Sequence, residues 1–340
     1  MSNYDWLESR RRRQSLFIVE GSHEKNKLMV LLLKIFPEID IDLNDIIIYG
    51  TNIYVLYDDI VRIYQNNWCD EDVDLPYIVS RKKGYINPMR KNDFTNIVLF
   101  FDYERHDPRF SEEKTTKMQK YFQDATDMGK LFLNYPMIES YQHLMEIPDW
   151  GYGNRSITVT LQPGHNYKNL IKDTKIAKAV NLPQKIREIL SEKYNISDPA
   201  LCDSCTENLL KSDCADELEK RIYENLSNIL CQKMFLTARY HLTDIIQKIN
   251  YLDLNITYYD YMRKLFSQII YHNIRKANKI QGRDYEVDSD ILKECFFELD
   301  LVDILLKQHN DSRDPDCGII WVLNTSVFFV PEYNYQLLES

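Results

Sequence analysis

Leu16-Phe17-Ile18-Val19-Glu20-Gly21-Ser22-His23-Glu24 is the stretch on which the fold turns. A short apolar run, rich in branched and aromatic side chains, stops abruptly at acids. Such a run, bounded by a turn signal, reads as a strand covered on both faces in a mostly parallel sheet. A second stretch repeats the pattern: Asn96-Ile97-Val98-Leu99-Phe100-Phe101-Asp102-Tyr103-Glu104. Parallel sheets open their ligand crevice at the carboxyl ends of the strands. Glu20, Glu24, Asp102 and Glu104 are therefore expected in one cleft. Like charges held close repel and raise each other's pKa, so acids do not gather there for stability. A hard divalent cation with oxygen ligands would account for them.

The rest of the chain works outward from these two runs. Gly21-Ser22 reads as a turn with Ser22 as helix N-cap. A helix follows with Leu28, Leu31, Leu32, Ile35 and Phe36 at helical spacing, and Pro37 ends it. Asp45 to Tyr49 reads as a second strand and Asn52 to Tyr64 as a helix. Residues 66–93 read as irregular, with Pro76 to Val79 as a strand or extended arm. A helix from Ser111 to about Thr126, a strand from Lys130 to Tyr135 and a helix from Tyr141 to Glu146 complete the alternation. Strand–helix alternation over 15–147 specifies an α/β domain with a Rossmann-like, mostly parallel sheet flanked by helices. The expected division is one domain over 1–150 and a mainly helical one over 151–340. In the second, Ile157 to Leu161 reads as an edge strand, Lys168 to Gln308 as helices, and Ile319 to Val330 as a return to strand. Stripes such as Ile222, Leu226, Ile229 and Leu230 are core faces.

Composition narrows the function. The 340 residues carry a formal net charge of -10, with 28% charged residues. Mean hydropathy is -0.45 and pI near 5.3. This argues against non-specific coating of nucleic acid, although a nuclease with a local grip stays open. Basic runs occur at Arg10 to Arg13, Arg81-Lys82-Lys83, Lys168 to Lys185 and Arg275 to Arg283; each reads first as a solvated face. No run of about 18 apolar residues is present, so no membrane association is expected. The N-terminus lacks a signal-peptide core. Seven cysteines, an odd number, suit a reducing cytoplasm. Cys202 and Cys205 are spaced for zinc but lack a second pair, so bound zinc is not expected. His106 and Arg105 follow the acid pair and read either as site residues or as ordinary loop contacts.

Glu139, after the fourth strand, adds a fifth acid at the same end of the sheet. Carboxylates in that arrangement suit one or two Mg²⁺ or Mn²⁺ ions. With two, the chemistry is in-line displacement at phosphorus. The sequence has no P-loop and no Gly-x-Gly-x-x-Gly, so ATP hydrolysis and nicotinamide chemistry are unsupported.

Val19-Glu20-Gly21 with Glu24, followed by Asp102-Tyr103-Glu104, resembles the Toprim domain shared by topoisomerases, primases and OLD-like nucleases. Glu20 and Glu24 match the Glu-x-x-x-Glu of the OLD-like branch. Asp102 and Glu104 match its Asp-x-Asp with Glu in the second place, and Glu139 stands for its later glutamate. The stretches 101–108, 129–132 and 134–140 are similar to Toprim effectors of anti-phage systems, including the Toprim subunit of PARIS and retron-associated Toprim effectors. The resemblance covers roughly 15–147. It implies Glu20 as acid/base or principal metal ligand, and Glu24, Asp102, Glu104 and Glu139 as metal ligands. It also implies a lysine near the scissile phosphate; Lys130, Lys168 and Lys172 are candidates, with Lys130 placed first. It further implies a toxic endonuclease favouring RNA, tRNA included, over DNA. An ATPase partner subunit would restrain it, and the active form would be a homodimer. The alternative is a scaffold subunit with little catalysis of its own.

Overall fold

The structure, a computed structural model, describes residues 13–161, 164–284 and 289–339. The lead-in expected over residues 1–14 falls outside these, except that Arg13 and Gln14 already belong to the first strand. Strand β1 (Arg13–Val19) is fully buried from Leu16 to Val19. β2 (Ile46–Ile48), β3 (Phe94–Asp102), β4 (Gln123–Asp124) and β5 (Gly129–Asn134) join it in the order β2-β1-β3-β5-β4. Only the β4–β5 pairing is antiparallel. The chain leaves β1 toward β2 on one side and returns to β3 on the other. The order therefore reverses between β1 and β3, which makes their carboxyl ends the crevice of an open α/β sheet. Val19 stands beside Phe100 and Asp102 beside Asn134, so these ends are level with one another.

The helices around the sheet correct some expectations. α1 is entered through a π-helical turn, Glu24–Met29, and continues as Val30–Ile35. Ser22 does not cap it; the Glu24 carboxylate accepts from the Gly21 amide at 2.7 Å instead. α2 (Ile53–Tyr64) is capped by Asn52, whose side chain accepts from the Val55 amide. The expected extended arm at Pro76 to Val79 is helix α3 (Leu75–Lys83), capped by Asp74. α4 (Glu112–Tyr121) starts at Ser111 as its N-cap. Where a helix was expected from Tyr141, only a 3-10 turn forms, Ile138–Gln142.

The compact units do not divide at residue 150. One comprises Met1–Tyr141, Trp150–Lys168 and Ile270–Ser340; the other comprises Gln142–Asp149 and Asn169–Ile269. The reason is visible after β7 (Ile319–Trp321), which pairs antiparallel with β6 (Ser156–Thr158). Thr325 donates to the Leu133 carbonyl, the Ser326 amide donates to Asn134, and Tyr135 and Leu323 form a β-bridge. Phe329 then packs edge-on to Phe17 at 5.0 Å. The expected terminal strand is thus only three residues long, followed by helix from Phe329 to Asn334. Lys276, placed in a solvated basic run by the sequence, is fully buried and donates to the Tyr152 and Arg155 carbonyls. The second unit is helical, built from Lys175–Glu188, Pro199–Leu210, Ala215–Leu226, Gln232–Gln247 and the first half of Tyr258–Ile280. Cys202 and Cys205 are buried there, and the Cys202 thiol donates to the Ile196 carbonyl.

Gly129 opens β5 at φ +115°, where a Cβ would lie 3.1 Å from Leu99 Cδ1 and 3.3 Å from Ile97 Cγ2. Gly129→Ala is expected to destabilise the fold by roughly 1–3 kcal/mol through backbone strain and overpacking. Urea denaturation followed by circular dichroism reads this; an unchanged midpoint would refute the close approach.

Candidate metal centre

Glu20 is the residue on which β1 stops. Its amide donates to the Phe100 carbonyl at 3.1 Å, which continues the β1–β3 pairing one step past the strand. Its carboxylate turns to β3 and accepts from the Asp102 amide at 3.1 Å. Asp102, the last residue of β3, is buried, and its Oδ1 has no hydrogen-bond partner among the described residues. Glu104 sits two residues on, but strand alternation does not deliver it. Its backbone lies in the left-handed region at φ +46°, an uncommon conformation for a residue with a Cβ. The Tyr54 hydroxyl, donating to the Tyr103 carbonyl at 2.7 Å, pins that turn. One oxygen each from Glu20, Asp102 and Glu104 lie within 4.8 Å of one another.

Glu24 and Glu139 complete the five. Glu24 is buried in the first turn of α1, against the Gly21 amide. A Cβ at Gly21 would stand 3.2 Å from its Oε2, so glycine leaves room for that bond. Glu139 reaches the cleft from the 3-10 turn after β5. That turn is held by Asn324, which donates to the Ile138 carbonyl at 2.6 Å and to Ser140. Glu139 Oε1 accepts from His23 Nδ1 at 3.0 Å and from Lys168 Nζ at 2.9 Å. Its Oε2 is buried without a hydrogen-bond partner among the described residues.

The electrostatics divide these acids into two kinds. Burial pushes the Glu20 carboxyl up to about 8, against the Asp102 amide, and Glu104, Glu24 and Asp107 add to the rise. Burial likewise raises Asp102 well above the carboxylate range, with Glu20, Glu24 and Glu139 contributing. Glu24 and Glu104 are raised, again mainly by burial. Burial pushes Glu139 up too, but His23 and Lys168 outweigh it and hold the carboxyl below its ordinary value. In four acids burial and mutual repulsion therefore outweigh whatever opposes them, while in the fifth the neighbouring cations win. The donor set is all carboxylate oxygen, two buried oxygens have no hydrogen-bond partner among the described residues, and the deficit is positive charge. That combination fits a hard divalent cation such as Mg²⁺ or Mn²⁺.

The structure separates the other sequence candidates. Lys130 is not at the centre. It stands at the start of β5 beside Val98, ion-paired to Glu332 at 2.7 Å, whereas the crevice lies beside Asn134. Four strand residues separate the two, about 13 Å at the rise of a strand. Lys168 is the candidate lysine that touches the acids, through Glu139. Lys172 lies in the other unit, with its ammonium on Asn169. His106 Nε2 donates to the Val159 carbonyl, and Arg105 donates to the Ser312 carbonyl with its guanidinium over Phe110. Both fasten the loop after β3. Sequence reasoning missed His23, Asp107 and Asn52. Asn52 Nδ2 donates to Asp107 Oδ2, and Asp107 is one of the charges that raise Glu20 and Glu104. A signal existed for Asp107, three residues beyond Glu104 in a run already acidic.

Comparison of the chain with family models, curated proteins and solved structures finds no match in any of the three.

Proposed function

We propose that this protein is a Toprim-type, metal-dependent nuclease that hydrolyses nucleic-acid phosphodiesters and serves as an effector of anti-phage defence. The observation that carries the reading is the meeting of Glu20, Asp102 and Glu104 within 4.8 Å at the reversal of strand order. Carboxylates raised by burial and mutual repulsion are poised for a cation, because binding one relieves both. Glu20, Asp102 and Glu104 would hold the metal, with Glu24 and Glu139 at its margin. A bound divalent cation supplies Lewis-acid activation of water and charge stabilisation at phosphorus. The protein's part is to orient. The Asp102 amide fixes Glu20, the turn at Glu104 aims the third carboxylate, and Lys168 brings a cation to the same rim. An ammonium there favours an anionic phosphate and the charge that grows on it. RNA is favoured over DNA through the Toprim effectors that the sequence resembles, and an ATPase partner that restrains the enzyme follows from the same source.

The test uses purified protein with labelled RNA and DNA. Cleavage is expected with Mg²⁺ or Mn²⁺, to stop with EDTA, and to fall about a thousandfold in Asp102→Asn. Asparagine keeps the shape of the buried side chain and removes one ligand charge. Cutting that persists in EDTA, or in Asp102→Asn, would sink the reading.

A further inference from the structure

The segment after the middle of α3 reads Arg81-Lys82-Lys83-Gly84-Tyr85-Ile86-Asn87-Pro88-Met89-Arg90. Arg81, Lys83, Tyr85 and Ile86 are exposed, and Ile86 is 96% exposed, so this tip serves no core. Gly84 turns the chain out of the helix at φ +68°. Lys82 and Arg90 are engaged: Lys82 bonds Thr51 and Asp59 and lies 4.1 Å from the Tyr49 ring, and Arg90 pairs with Asp74. Among the described residues, Arg81 and Lys83 form no ion pair. Two cations without an ion pair, Arg81 with its guanidinium 6.0 Å from the Tyr77 ring, thus stand beside an exposed aromatic and an exposed aliphatic side chain.

Their position ties them to the acidic cleft. A Cβ at Gly50 would lie 3.7 Å from Lys83 Nζ, and the Gly50 amide donates to the Glu20 carbonyl at 2.8 Å. Thr51, which accepts from Lys82 at 2.9 Å, precedes Asn52, which bonds Asp107 at the cleft. The basic end of α3 is thus fastened to the loop after β2, next to the residue that ends β1. We propose that Arg81 and Lys83, with Tyr85 and Ile86 at the tip, form the grip for a single-stranded segment of nucleic acid leading into the cleft. The proposal rests on the nuclease reading for its occupant. Its own support is charge complementarity and continuity with the acids. Cations take the phosphates and set register without reading sequence. Tyr85 offers a ring on which any unpaired base stacks, and Ile86 is an apolar wedge of the kind that separates stacked bases.

The experiment measures affinity apart from cleavage. Full-length Asp102→Asn protein is titrated, in Mg²⁺, into fluorescein-labelled single-stranded RNA and into a paired duplex, with anisotropy as the readout. Adding Arg81→Glu and Lys83→Glu is expected to weaken binding at least about tenfold and to lower the salt slope by about one for each cation removed. Adding Tyr85→Ala and Ile86→Ala is expected to weaken single-strand binding about tenfold and duplex binding less. Arg81→Lys with Lys83→Arg keeps the charges and is expected to keep affinity. Unchanged affinity in both sets of variants overturns the grip, leaving the tip to a protein partner, while cleavage by the wild type would still stand. Affinity that falls as expected, in a wild type that never cleaves, supports the grip and removes the nuclease reading instead. A parent that binds neither probe overturns the grip, and the nuclease reading then stands or falls on cleavage by the wild type.

Discussion

Glu20→Gln is expected to abolish cleavage and, without divalent cations, to raise the melting temperature. The sign follows from linkage. Burial lifts the Glu20 carboxyl from 4.5 to about 8 in the folded chain. Below pH 4.5 the folded and unfolded chains both hold the proton, and the residue contributes no pH dependence. Between 4.5 and about 8 the unfolded chain releases a proton that the folded chain keeps, so stability falls as pH rises through that window. Above about 8 the folded state carries the full penalty, on the order of a few kcal/mol. Glutamine keeps an oxygen for the Asp102 amide and has nothing to ionise. Thermal melts across this pH range should therefore diverge, with the wild type dropping toward pH 8 and Glu20→Gln flatter. Added Mg²⁺ should restore the wild type, because an ion that binds only the folded state stabilises it, and should move Glu20→Gln little. A variant that melts below the wild type at pH 8 in EDTA, or an equal Mg²⁺ shift in both, would show that Glu20 is not a carboxylate held in wait for a cation.

Much of this centre was legible in the sequence because its two halves are local. Leu16 to Val19 and Ile97 to Phe101 are apolar runs too short for helices, and each hands over to an acid at the strand end. What a linear reading lacks is depth along a strand and contact across the chain. Lys130 stands first among three lysines that the resemblance makes candidates and no local motif separates, but a parallel strand puts its first residue at the far end from the crevice. Pro76 to Val79 reads in the sequence as a strand or extended arm, whereas Asp74 caps α3 and proline falls in the first turn, where an amide has no helical partner to lose. Asp102 and Glu104 are spaced i, i+2, which in an extended segment points both to one side; β3 ends at Asp102, and a left-handed turn aims the Glu104 carboxylate by another route. The boundary at residue 150 failed because Asn324, Thr325 and Ser326 bond to the β5 end across nearly two hundred residues, and nothing in their own stretch announces it.

Lys168→Ala is expected to reduce cleavage about a hundredfold, whereas Lys130→Ala should leave it unchanged. Glu139 is the one buried acid at the centre that stays ionised readily, and it does so because Lys168 and His23 share its Oε1. Without the lysine, burial works against a single partner. The carboxyl moves up, the charge offered to a cation falls, and under the proposed nuclease function a substrate phosphate loses the ammonium that Glu139 holds at the rim. The first loss should appear as a higher Mg²⁺ concentration for half-maximal cleavage, the second as a lower rate at saturating Mg²⁺. Lys168→Arg should recover part of both, since it keeps the charge but alters reach and hydrogen-bond geometry. His23→Ala added to Lys168→Ala should cost more than the sum of the two singly, because each partner compensates for the other at one oxygen. Lys130→Ala breaks a partly exposed pair with Glu332, a change of at most about 1 kcal/mol in stability. If Lys130→Ala instead matched Lys168→Ala in its loss of cleavage, the centre would have to extend to the opposite end of β5, which the parallel register of β3 and β5 forbids.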